Sequence, residues 1–451
     1  MEKGSIGRAS LPIACLLAAA CGSPTAPDAI REGPRWETAT EPLATLAPPT
    51  QFLDVVVALD DTTALVGFGM DGTMWSAKAT AGGAFSSPHR IDTGEPRFAR
   101  GPALMLAPGG IAMAAWEQPD VDHFHGPMLV WANRLSPGLG WGDPTLVERR
   151  VTAPEQIDPV LANLAPDVAV SSTGESVVVW AAREVFARVS SDGRAWFPPE
   201  RLDALGEPQS PFVKQLRVAA GARGRFVAAW ANGADGRVAW REPSSGWSPA
   251  TSFRVGPGLV MDGPRLAANA SGRALVAWQA WEPEGMRFVR GRGIFASVWS
   301  EPSGWGPLSQ VSGPGVEAIL IDVALDPVGG GAAFWFRRDD TQLWLSRLSA
   351  DGAWSPAEIV PGAKMLPSAA VFLPNGDLLV VWADGPAVFA SRKRGPSWSA
   401  AETLQDGRLD PQEWIGRVAL AANDRGEALV AWTRYEEGIR GKLWTSRLRV
   451  P

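Results

Sequence analysis

The 451-residue chain is poor in tyrosine, histidine, cysteine and lysine. It has one Tyr, three His and two Cys, and Lys supplies six of its 42 cationic side chains. Two cysteines are too few for a disulfide-stapled fold or a multi-cysteine metal module. A formal net charge of −6 gives no basic field, which excludes a nucleic-acid role. No apolar run of roughly 18 residues lies beyond the N-terminus, so no internal membrane-spanning helix is expected. No Ser/His/Asp signature, phosphate loop or Cys-x-x-Cys pair is present. Against these shortages stand 45% hydrophobic residues and 22 Trp. Length alone suggests about three domains at roughly 150 residues each. The positions of the Trp residues point instead to one.

The N-terminus reads as an address. Lys3 and Arg8 precede an apolar stretch, Leu11 to Ala20, that is too short to span a bilayer. It ends Leu17-Ala18-Ala19-Ala20-Cys21-Gly22, which resembles the lipobox of bacterial lipoproteins, with Ala18 where that motif usually has Leu. The resemblance implies cleavage after residue 20 and a diacylglycerol on Cys21. Cys15 would leave with the signal, so the mature chain would hold no internal disulfide. Gly22 beside the lipidated position resembles lipoproteins sorted to the outer membrane. Expected organisation is a signal over 1–20, a Pro- and Gly-rich tether over 21–34 and one domain over 35–451. The alternative is a plain secretory signal with a chance cysteine at its end.

Two aromatic series alternate along the rest of the chain. The first closes an apolar strand at Phe68, Trp116, Trp180, Trp230, Trp278, Trp335, Trp382 and Trp432, with spacings of 48, 64, 50, 48, 57, 47 and 50. The second precedes Ser, Gly or Pro at Trp36, Phe85, Trp141, Trp196, Trp247, Trp305, Trp354 and Trp398. Segments such as LAANASGRALVAW read as a hairpin. A third strand follows, as in 185–190, 343–349, 388–394 and 443–450. Four strands per repeat of about 50 residues is the pattern of a β-propeller. The chain starts on a lone fourth strand near Trp36 and ends on a third strand. The N-terminal strand is therefore expected to complete the last of eight blades, or of seven if the degenerate first repeat is discounted. Twenty of the 22 Trp recur by position, which assigns them to packing and leaves Trp281 and Trp414 outside the pattern.

Two turns, Ser190-Ser191-Asp192-Gly193 and Ser349-Ala350-Asp351-Gly352, resemble shortened Asp-boxes of sialidase-like propellers. They are one residue short between Asp and Gly and lack the Thr. The repeated Trp motifs also resemble those of bacterial propeller lectins. The sialidase resemblance implies an arginine triad and a Tyr–Glu nucleophile pair, for which Arg217, Arg265 and Arg417, and Tyr435 with Glu436 or Glu437, are the available residues. Sialidases of known type have six blades, and these arginines lie in no matching motif.

Several positions carry chemistry. Counting back from each Trp mark, the innermost strands share one register position: Val55, Ala103, Asp167, Arg217, Arg265, Asp322, Ala369 and Ala419. Four consecutive blades bear charge there, and Arg417 lies two residues before its own position. This patch is read either as a pocket for a polar ligand or as two mutually satisfied Asp–Arg pairs. The longer connections should open on one face, the expected functional face. There Trp281, Trp414 and Tyr435 are candidate contacts for a sugar or a protein, or loop side chains folded back onto a blade. Asp120, Asp122, His123 and His125 form a possible divalent-metal set, or a solvated loop. No other cofactor is expected. The reading reached is a monomeric, lipid-anchored binding or scaffold module of the outer membrane, for protein or glycan. A sialidase-like glycoside hydrolase and a purely structural envelope protein are the alternatives.

Overall fold

The Asn-Ala-Ser-Gly-Arg turn at 269–273 shows how one repeat folds. The Asn269 N–H meets the Arg273 carbonyl at 3.0 Å, and the Asn269 side-chain oxygen accepts from the Arg273 N–H at 3.0 Å. Gly272 takes φ +85°, a conformation that favours glycine. The turn joins Val260–Ala268 to Ala274–Glu284 antiparallel, and Arg287–Ser300 then pairs on the far side. In the computed structural model eight such sheets form a β-propeller with essentially no helix. Described are residues 34–450 except 38, 40, 46–51, 81, 96–98, 120–127, 150–165, 182–183, 205–215, 285–286, 365–367, 406–412 and 437–439. Cys21 and the Asp120–His125 segment therefore lie outside the described residues.

The blades begin with the innermost strands Phe52–Leu59, Arg100–Ala107, Asp167–Val170, Arg217–Ala220, Val260–Ala268, Ala318–Leu325, Ser368–Phe372 and Trp414–Ala422. Blade eight is completed from the other end of the chain. Arg35–Trp36 and Ala44–Thr45 both pair with Arg440–Arg449. Among the described residues the fourth strand is split in five of the eight blades, where a single strand was expected. Gly246–Trp247 and Thr251–Arg254 both pair with Asp235–Glu242, and Ser248-Pro249-Ala250 lies between them. Proline has no N–H to give the ladder, so the strand breaks there.

Each Trp mark fills the interface with the preceding blade. Trp230 packs against Val177, Val179 and Ala187 of blade three, and Trp335 against Leu275, Ala277 and Ala296 of blade five. Trp432 packs on blade seven, and Phe68 of blade one packs on Leu429 and Ala431 of blade eight. These eight side chains are exposed by 1% or less. Arginines tie the blades further. Arg134 donates to the Gly174 carbonyl at 2.8 Å, Arg241 to Glu175 at 3.0 Å and Arg347 to the Gly395 carbonyl at 3.1 Å. A guanidinium reaches a backbone carbonyl while keeping further donors free, which suits Arg over Lys in this role.

Candidate functional site

An innermost strand has no partner on its channel side, so its edge meets water. Exposure follows that rule. The second strand Ser176–Ala181 is buried throughout, whereas Ser368–Phe372 and most of Trp414–Ala422 are half-buried. Water therefore reaches the inner edges, and charges at the shared register position line a channel.

The register holds for seven blades. Asp167 opposes Val179, Arg217 opposes Ala229, Arg265 opposes Ala277 and Asp322 opposes Phe334, each one residue before the aromatic mark. Blade one departs: Val56, not Val55, opposes the residue before Phe68. Its turn Asp60–Thr63 closes over four residues, where Asn269–Arg273 and Asn423–Glu427 close over five. The shorter turn shifts the pairing by one. That shift explains a residue missed by counting. Asp54 precedes Val56 by two, as Arg417 precedes Ala419, and the two form an ion pair at 3.4 Å across blades one and eight. Asp262 was also missed; its carboxylate accepts from the Gln279 amide at 3.5 Å.

The expected Asp–Arg pairs are not direct contacts. Among the described residues no guanidinium lies within 4.0 Å of Asp167 or Asp322. Asp167 accepts instead from the Val218 N–H at 2.9 Å, and Asp322 from the Val323 N–H at 2.9 Å. Arg217 donates to the Leu216 carbonyl at 2.7 Å, and Arg265 to the carbonyls of Ile321 at 2.7 Å and Pro264 at 3.0 Å. Burial pushes the Asp167 carboxyl up, opposed chiefly by the Arg217 charge. It pushes Asp322 up against the pull of Arg265, and Asp54 up against Arg417 and Arg217. Burial brings Arg265 down to about 10, where it is still cationic at neutral pH.

A carboxyl raised above its unfolded value binds its proton more tightly when folded. Its contribution to stability is full below the unfolded value of 3.8 and is lost as pH rises through the raised one. The Asp322→Asn variant is therefore expected to be at least as stable as wild type at pH 7. That advantage should shrink as the pH approaches 4, read from thermal midpoints across pH. A variant less stable at pH 7 and equal at pH 4 would contradict this electrostatic account.

At one end of the channel an aromatic pair is built by a bulge. Trp414 opposes Tyr435, Ile415 opposes Arg434, and Gly416 is skipped before Arg417 opposes Thr433. A Cβ at Gly416 would stand 2.4 Å from the Tyr435 ring, so only glycine allows this approach. The Trp414 and Tyr435 rings stack at 5.1 Å and 18°. Trp414 is 48% exposed and Tyr435 8%. Burial raises the Tyr435 hydroxyl, and Arg417 and Asp54 are among its charged neighbours. Beneath the pair Arg434 donates to both Glu413 oxygens at 2.7 and 2.6 Å.

Two groups of candidates thus meet. Asp54 is an electrostatic neighbour of both Tyr435 at the mouth and Arg217 in the channel. Trp281 does not join them. It is buried in Ala274–Glu284, with the Arg338 guanidinium 5.5 Å over its ring. Among the described residues no group of three or more His, Cys, Asp or Glu could hold a metal. The Asp-box-like turns are self-capped: Asp192 accepts from the Arg194 and Ala195 N–H groups at 2.8 and 2.9 Å, and Ser349 donates to Asp351.

Neither a family model nor a curated protein matches the chain. Solved structures do. Polysaccharide lyase Uly1 superposes with a TM-score of 0.50 at 9% identity, covering 92% of this chain and 100% of the lyase. A protein of unknown function from Dyadobacter fermentans DSM 18053 gives 0.46 at 11% identity, covering 92% and 99%. The leech intramolecular trans-sialidase gives 0.43 at 10% identity, covering 85% and 81%. At 9% identity the likeness to the lyase shows a shared fold and nothing more.

Proposed function

We propose that this chain is a monomeric binding module of the cell envelope, held at the outer membrane by a lipid on Cys21, and that it binds a saccharide at the channel mouth. The observation that carries the binding reading is the Trp414 indole, 48% exposed and laid flat on Tyr435 beside the exposed Arg417 and the half-buried Asp54. An aromatic face fixed in this way offers the C–H face of a sugar a rigid apolar platform, with polar groups at its edge to orient it. The anchor rests on the lipobox-like run ending at Cys21. Release of a Cys21→Ser form from the membrane is its test.

A glycan panel on the full chain should yield a ligand whose affinity falls about tenfold or more, roughly 1.4 kcal/mol, in Trp414→Ala. The fold should be unchanged, because the indole is largely outside the core. Equal binding by the variant would remove Trp414 from the site, and no binding by wild type would favour a purely structural role. The hydrolase alternative asks for a reachable Tyr435 that loses its proton readily. Tyr435 lies under Trp414, and burial raises its hydroxyl. Turnover of a sialoside that is lost in Tyr435→Phe is the result that would replace binding by catalysis.

A further inference from the structure

Arg217 stands apart from the other arginines of the ring. It opens the innermost strand of blade four and is half-buried. Its guanidinium has five N–H donors, and the Leu216 carbonyl takes one from Nη1. Among the described residues no carboxylate lies within 4.0 Å of it. Yet Asp54 of blade one, Asp167 of blade three and Asp322 of blade six all feel its charge, as does Arg265 of blade five. A group felt from both sides of the ring points toward the axis. Asp167 and Asp322 are likewise held by backbone N–H groups and not by a cation in contact.

Such an arrangement is costly for packing alone, because half-buried charges normally close into direct pairs. The facing set is four carboxylates, Asp54, Asp167, Asp262 and Asp322, against three guanidinium groups, Arg217, Arg265 and Arg417. It is balanced to within one charge. The excess is one negative charge, so a lone anion would add to it and a lone cation would leave the Arg217 donors unused, whereas a ligand of both signs meets Arg217 and the carboxylates at once. We propose that the channel receives a small dipolar ligand carrying an ammonium and a carboxylate, a free amino acid or short peptide. The carboxylate docks on the Arg217 fork and the ammonium is drawn to Asp167 and Asp322. A planar fork with free donors matches a carboxylate in two-point contact. The docking contacts are Arg217, Asp167 and Asp322, none of which belongs to the saccharide platform at Trp414.

The experiment is calorimetric titration of the full chain with alanyl-alanine, its N-acetyl derivative and its C-terminal amide. The dipolar form should bind, and loss of either charge should weaken it about tenfold or more. Arg217→Gln should weaken the dipeptide to the level of the amide and leave the amide unchanged. The double change Asp167→Asn with Asp322→Asn should do the same relative to the N-acetyl form. Trp414→Ala should leave all three unaffected, which separates this inference from the saccharide reading. No binding of the dipeptide, or equal binding of all three probes, overturns it. The probe comparison is made on wild-type protein, so it decides even where a channel variant does not fold.

Discussion

Trp278→Ala is expected to cost about 3–5 kcal/mol of folding stability, the range for a large aromatic truncated in a close-packed core. The Trp278 indole is fully buried and packs on Ala229, Val238, Phe253 and Met261. Its Phe253 neighbour lies 5.5 Å away at 42°, and its Nε1 donates to the Trp230 carbonyl at 3.2 Å, so the truncation also removes a buried hydrogen bond. A Cβ at Gly236 would stand 2.6 Å from the ring, so the pocket has no slack to redistribute. Trp278→Phe should cost less, because Phe68 fills the same place between blades eight and one. Denaturant midpoints of both variants measure this. A loss below about 1 kcal/mol in Trp278→Ala would show that the indole is not the interface plug that the repeat implies.

The same Trp series explains why the architecture was legible in the sequence. A residue that fills one interface must recur at every interface, so its spacing reports the repeat directly. Four strands per blade, eight blades and closure by the N-terminal strand all followed from that recurrence. The inner register was legible in the seven blades that share its turn parity. It failed in blade one, because a four-residue turn at Asp60–Thr63 moves Val56 to where counting put Val55. Asp54 was lost with it. Trp281 and Tyr435 stand three residues beyond Trp278 and Trp432, where the second strands Ala274–Glu284 and Ala428–Glu436 run on past their marks. That common offset was visible, but whether such a side chain is covered depends on what pairs with it. Trp414 lies over Tyr435, and the neighbouring Arg338 lies over Trp281. The Glu413–Arg434 contact was not legible. It joins residues 21 apart across a bulge, and a bulge carries no periodic signal.

That contact carries the second large effect. The Glu413 and Arg434 side chains are each 8% exposed and meet through two hydrogen bonds. Removing one partner leaves the other charge buried, so Glu413→Ala is expected to lose about 3–5 kcal/mol. A pair of this kind need not add net stability over an apolar contact. The double variant Glu413→Met, Arg434→Met should therefore recover most of the loss, since it leaves no orphaned charge. Denaturation of the single and double variants forms the cycle, and a double variant as unstable as the single one would show that shape, not charge, is decisive. The site gives a second reading of the same cycle. Glu413 immediately precedes Trp414 and Arg434 immediately precedes Tyr435, so the pair pins both strands at the stacked rings. Two flexible thioether chains can fill that space but cannot fix its geometry. Saccharide affinity at Trp414 should then stay reduced in the double variant even where stability returns. Recovery of both together would assign the pair to folding alone, whereas recovery of stability without affinity would identify it as the clasp that holds the aromatic platform in place.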